Sequence, residues 1–189
     1  MDMEEKISQI ELILKEPSFF EKKSYNGYYI FDYDPKYELR IREEVSRLKN
    51  KFNPNKNFVF NIVEFDLYEI VINILIEKGY LDKVFDFEKK KGRDKTRIAI
   101  TQVLKLSSNS NLIVKHIKEN VEEDSIVFLT GVGKVFPIVR SHNIINSLYD
   151  NLDYVPLIIF FPGNYTGINL CLFNTIDDCN HYRAKLLVD

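Results

Sequence analysis

Apolar and polar positions alternate between two periods along this chain. Ile7, Ile10 and Leu14 share one helical face within Glu4–Lys15, and Pro17 ends that helix. Tyr28–Asp32 reads as a strand after Gly27. Asp34-Pro35 then opens a helix through Lys49, carried by Tyr37, Ile41, Val45 and Leu48. Asn53–Asn55 is a loop and Asn57–Val63 a second strand. Asp66–Lys78 begins with Asp66 and Glu69 at capping-box spacing, is apolar on most faces, and stops at Gly79, so it is a buried helix. Leu81–Phe87 is a short helix and Glu88–Arg97 a hydrophilic connection. Ile98–Leu106 and Leu112–Asn120 are helices, the second capped by Ser110. The apolar run Ile126–Leu129 reads as a central strand that ends at Gly131-Val132-Gly133-Lys134, and a helix over Val135–Tyr149 follows. Pro156–Phe161 is a buried strand and Pro162–Gly167 a turn. Ile168–Phe173 returns with period two, Asp177–Asn180 turns again, and Arg183–Val188 closes as a strand.

Strands alternating with helices predict a three-layer α/β fold: a mostly parallel sheet, helices on both faces and a C-terminal antiparallel hairpin over Pro156–Phe173. The 189 residues are expected to form one such domain, with a helical insertion around 66–120.

Composition narrows the function classes. A formal net charge of −2 gives no global basic field, which argues against a dedicated nucleic-acid binder. Glu88–Arg97 does carry six basic residues against two acidic ones, but without interleaved aromatics it reads as a solvated linker, with direct DNA binding as the alternative. Two cysteines, Cys171 and Cys179, make no disulfide framework and imply free thiols in a reducing compartment. Met1–Lys15 is charged throughout and no apolar run could span a bilayer, so a cytoplasmic protein without membrane association is expected. Exposed Tyr and Phe residues leave a homodimer open.

Candidate chemistry is sparse. A strand, a glycine turn and a helix invite a phosphate-cradle reading of Gly131–Lys134. A P-loop, however, needs four residues between its glycines and a hydroxyl after the lysine, where Val135 stands. Pro137 occupies the region of the third glycine of a dinucleotide fingerprint. An anion at the helix start, held with Lys134, stays open. On a continuous helix His142 aligns with Val139, Ile145 and Tyr149 on the sheet-facing side, which reads as a buried histidine. Arg140 points elsewhere, toward a carboxylate such as Asp177 or Asp178, or toward a partner. Asp177, Asp178, His181 and Arg183 form a polar cluster that lacks a metal-ligand pattern, and no nucleophile motif occurs. No catalytic residues, metal or cofactor are expected.

Three ordered segments, TGVGKVFPIVRSHNIINSL (Thr130–Leu148), FFPGNYTG (Phe160–Gly167) and DDCNHYRA (Asp177–Ala184), resemble the BrxB family of BREX phage-defence systems. Phe65–Asp82 is also similar to that family's Asp-Leu-Tyr-Glu helix. The chain departs at Cys179-Asn180-His181, where the family has Asn-Tyr. The resemblance implies an accessory protein without established enzymatic activity, acting beside an ATPase, a DNA methyltransferase and the phosphatase-like PglZ. It implies an adaptor that docks these partners, PglZ first, and meets nucleic acid only indirectly. Gly131 and Gly133 would then set turn geometry. Arg140, Tyr165, Asp178 and Arg183 would be contact or ion-pair residues, with Lys134 and His142 as further candidates. A degenerate nucleotide- or phosphate-binding domain is the competing class.

Overall fold

Strands whose side chains are apolar on both faces must be covered on both, and that requirement sets the architecture. The computed structural model describes residues 2–21, 27–53, 58, 60–108, 110–152, 154–178, 182 and 184–188. Five parallel strands pair in the order β2-β3-β4-β1-β7: β1 Tyr28–Tyr33, β2 Asn61–Asp66, β3 Ser125–Thr130, β4 Leu157–Tyr165 and β7 Lys185–Leu186. The carboxyl half of β4 leaves this sheet and pairs antiparallel with β5 (Leu170–Leu172), which pairs in turn with β6 (Ile176–Asp178). The fold is therefore α/β, with a mostly parallel sheet and an antiparallel extension near the C-terminus.

Alternate strand residues enter two cores. Phe31, Ile126, Phe128, Ile158 and Phe160 pack with α1 (Met3–Lys15), α2 (Pro17–Glu21) and α3 (Glu38–Lys51). Ile30, Val127, Leu129, Ile159 and Phe161 pack with α4 (Leu67–Glu77), α6 (Arg93–Leu104) and α7 (Leu112–Asn120), and with α8 (Val132–Val135) and α9 (Ser141–Tyr149). The remaining helix, α5 (Leu81–Lys91), lies outside and buries no residue. On α1, the buried Ile7, Ile10 and Leu14 are each worth about 1.5–3 kcal/mol of transfer free energy.

Several elements differ from the sequence reading, each for a local reason. The helix expected over Val135–Tyr149 is broken into α8 and α9. Pro137 lacks a donor, and Phe136 before it is extended (φ −68°, ψ 137°) with a cis Phe136–Pro137 peptide. Arg140 consequently caps α9 in an extended conformation rather than sitting within a helix. The connection Glu88–Arg97 is helical except at Gly92 (φ 80°), because lysine, arginine and glutamate are good helix formers and only the glycine interrupts them. Asn111, not Ser110, caps α7, its side chain accepting from Ile113 N (3.0 Å) and Val114 N (3.4 Å). The helix from Pro35 opens with a 3-10 turn, Pro35–Tyr37, capped by Asp34. The second strand runs 61–66, whereas 57 and 59 lie outside the described residues. Pro162–Tyr165, read as a turn, extends β4, because β5 supplies the partner that a sequence reading cannot see. For the same reason Asp177 lies in β6 rather than in a turn.

The α1–α3 contact is electrostatic at its rim. Glu11 meets Lys15 (2.6 Å), Lys51 (2.7 Å) and Arg47 (2.8 Å), and these cations, Lys15 foremost, hold its carboxyl at about 2. A depressed carboxylate contributes stability above its unfolded value and loses it as pH falls through the folded one. We expect thermal stability to decline as pH drops from about 4.5 toward 2, the two values that bound this titration. Thermal melts across that window should show a shallower decline for Glu11→Gln than for wild type.

Candidate functional site

The carboxyl ends of β1, β2 and β3 converge where the chain leaves β1 toward α3 on one face and β3 toward α8 on the other. Such crossing points are where open α/β sheets place their sites. Here a cleft of about 160 Å³ is lined by Tyr33, Glu38, Arg42, Glu64, Asp66, Thr130 and Lys134. Each carboxylate lining it holds a cation. Glu38 accepts from Arg42 Nε (2.8 Å) and from the Tyr33 hydroxyl (2.6 Å). Burial first, and then Glu38, push the Tyr33 phenol above its ordinary value. Glu64 accepts from Lys49 Nζ (2.8 Å) and Thr130 Oγ1 (2.8 Å). Asp66 Oδ1 caps α4 at Tyr68 N (2.9 Å) and Glu69 N (3.4 Å), while Oδ2 accepts from Lys134 Nζ.

This geometry explains the glycine turn. Gly131 has φ 73°, and a Cβ there would lie 2.2 Å from Asp66 Oδ1. The backbone must pass against the capping carboxylate, and only glycine permits both the approach and the conformation. A Cβ on Gly133 would lie 2.8 Å from the Phe173 ring and 3.1 Å from Pro162. Lys134 N and Val135 N donate to Gly131 O at 3.0 and 3.3 Å, closing a single helical turn. The Thr130–Lys134 segment therefore clasps the Glu64–Asp66 strand end and the start of α4, and its lysine is already engaged.

A second cleft, about 190 Å³, opens beside the first turn of α9. Phe136, Phe161, Leu172 and Ile176 form its apolar wall, and Arg140, Ser141 and Asp177 its polar edge. Arg140 is exposed and makes no ion pair among the described residues, so the expected pairing with Asp177 is not formed although both edge this cleft. The Asp177 carboxylate beside Cys171, followed by burial, pushes that free thiol up from its ordinary value, away from the reactive thiolate. His142 is half-buried on α9 and engaged in an interaction, while Val139 stands outside that helix. Tyr165 is buried. Its hydroxyl donates toward Ala184 O (2.9 Å) and Gly167 O (3.0 Å), and its amide donates to Asp32 Oδ2 (2.9 Å), whose carboxylate also holds Lys6. The Asp178 side chain, Cys179, His181 and Arg183 lie outside the described residues.

A profile of the family described as "BREX protein BrxB" matches residues 63–187. The chain belongs to the BrxB family. A BREX protein BrxB of Bacillus cereus (strain H3081.97) is 47% identical over 188 residues, covering 98% of this chain and 97% of that protein. A BREX protein BrxB of Escherichia coli O9:H4 (strain HS) is 30% identical over 189 residues, covering 98% and 92%. No solved structure matches the chain.

Among the described residues no group of three metal-ligating side chains converges, and no helix is long and apolar enough to cross a membrane. The sequence reading of this BrxB chain missed the Glu64–Thr130 bond and the Asp66–Gly131–Lys134 clasp. Its signal was available as two motifs, each ending a strand, whose polar termini match in kind once the strands are paired.

We expect Gly131→Ala to cost about 2–5 kcal/mol, combining left-handed strain with overpacking against Asp66. At about 2–4 °C per kcal/mol, differential scanning should resolve the loss. Asp66→Ala alone should cost about 1 kcal/mol for the lost cap. In the Gly131→Ala background the same change should cost less, or be stabilising, because the clash goes with the carboxylate.

Proposed function

We propose that this chain is a non-catalytic accessory protein of a BREX anti-phage defence system, acting in the cytoplasm as an adaptor that docks other BREX proteins, PglZ first. Membership of the BrxB family supports the system; the adaptor reading rests on how the side chains are committed. In the cleft at the strand ends each carboxylate holds a cation, and each of its cations holds a carboxylate, which leaves no free base or nucleophile there. The observation that carries the docking role is Arg140, an exposed cation without an ion pair among the described residues, at the edge of an apolar-walled cleft. Arginine beside a desolvated apolar patch is the composition of an interface hot spot. A partner side chain in that cleft would bury Phe136 and Ile176 and offer an acceptor to the guanidinium.

Co-expression with the other BREX proteins and affinity purification through this chain tests the reading. PglZ should co-purify, and Arg140→Ala should weaken its retention about tenfold or more, as a truncated hot-spot residue does. Stability should stay within about 0.5 kcal/mol of wild type, since the residue is a surface one. Purification free of every BREX protein would contradict the adaptor role. Unchanged retention with Arg140→Ala would remove the cleft from it.

A further inference from the structure

Helix α5 is the least explained element of the chain. It has eleven residues, none buried, and leans on the larger core only through the half-buried Leu81 and Val84. At 3.6 residues per turn, Tyr80, Lys83, Phe87, Lys90 and Lys91 fall within about 100° of its circumference, beside that inward edge. Tyr80 and Phe87 are 39% and 38% exposed, values that leave much of each ring in water. Lys83, Lys90 and Lys91 stand at i−4, i+3 and i+4 from Phe87, the positions that neighbour it on a helix. Lys83 Nζ lies 5.0 Å from the Tyr80 ring centroid. None of these three lysines makes an ion pair among the described residues, whereas Lys6, Arg40, Arg42, Arg47, Lys49 and Lys51 on the α1–α3 side each hold a carboxylate. Of the acidic residues of α5, Asp82 is on the outward side and Glu88 faces Arg93 at 3.7 Å, while Asp86 borders the strip at i+3 from Lys83 and i−4 from Lys90 without an ion pair to either among the described residues.

We propose that the Tyr80–Lys91 strip of α5 binds single-stranded nucleic acid, its lysines taking backbone phosphates and its rings stacking on unpaired bases. Rings alternating with unpaired cations are the arrangement that sequence-tolerant single-strand binders use. A duplex hides its bases and would leave both rings without a role. An acidic protein segment would match the charge, but α5 buries no residue of its own and so offers a flat strip instead of a pocket for an anchoring side chain. Phe87 and Tyr80 are the interleaved aromatics that Glu88–Arg97 lacks by itself, because helical winding brings them beside Lys83, Lys90 and Lys91.

Fluorescence anisotropy of a labelled oligothymidylate with the purified chain tests this without any partner protein, so its outcome is separate from that of the docking proposal. Binding is expected at about 50 mM salt and should weaken steeply toward about 200 mM. Replacing Lys83, Lys90 and Lys91 together by Ala should lower affinity at least tenfold and flatten the salt dependence. Phe87→Ala should lower affinity about tenfold with the salt slope unchanged, since one stacking contact is lost and no phosphate contact. Lys105→Ala with Lys118→Ala, off the strip, should leave binding as in wild type; all these side chains are exposed, and circular dichroism checks each fold. Absence of binding at low salt, equal or tighter binding of a blunt duplex, or wild-type binding by the triple variant would overturn the proposal. So would a strip that retains an acidic BREX protein and never the oligonucleotide.

Discussion

The Asp66 carboxylate is the interaction on which the functional end of this structure depends. One oxygen caps α4 and the other holds Lys134, and the backbone of Gly131 passes against it at a distance no side chain would tolerate. The capped helix is apolar on most faces, so its start must be fixed firmly for Ile70, Val71, Ile74 and Leu75 to reach the core together. The clasp does this from the neighbouring strand. Glu64 and Thr130 repeat the arrangement across the β2–β3 pair. Polar groups near the sheet ends are thus spent on holding one another, and their desolvation is offset by charge-assisted bonds.

That expenditure determines what is left for contact with other molecules. The α1–α3 side is a lattice of satisfied ion pairs around Glu11 and Glu44, with Glu44 fully enclosed between Arg40 and Arg47. Among the described residues, the cations without an ion pair include Arg140 beside the second cleft and Lys83, Lys90 and Lys91 along α5. These two places differ in character. The first combines a single guanidinium with an apolar recess, which suits a protein side chain; the second alternates rings and lysines on an exposed helix. A BrxB chain with both proposed sites would offer one surface to a protein partner and another to a nucleic acid.

Much of the fold was legible in the sequence, because the strands are apolar on both faces and their continuous runs are hard to mistake. Capping was legible where the cap is local, as at Asp66. What could not be read were consequences of long-range pairing. The PGNYTG segment looks like a turn until β5 supplies the partner that makes Pro162–Tyr165 a strand. Pro137 signals a break, yet its effect on Arg140 follows only when α8 and α9 are seen as separate helices. The GVGK turn resembles a phosphate loop by local geometry, and only the position of Asp66, 68 residues from Lys134, shows which anion the lysine already holds. Tyr165 lies in a motif and reads as a contact residue, but its hydroxyl is committed to the carbonyls of Ala184 and Gly167 inside the fold.

The most direct test of this account is whether the GVGK turn takes an external anion while Asp66 is in place. Isothermal titration calorimetry with ATP and with inorganic phosphate should give no binding heat for wild type, because Lys134 and the close-packed turn are occupied by the protein's own carboxylate. A saturating exotherm with wild type that disappears in Lys134→Ala would contradict it, and would make the turn a ligand site instead of a structural clasp.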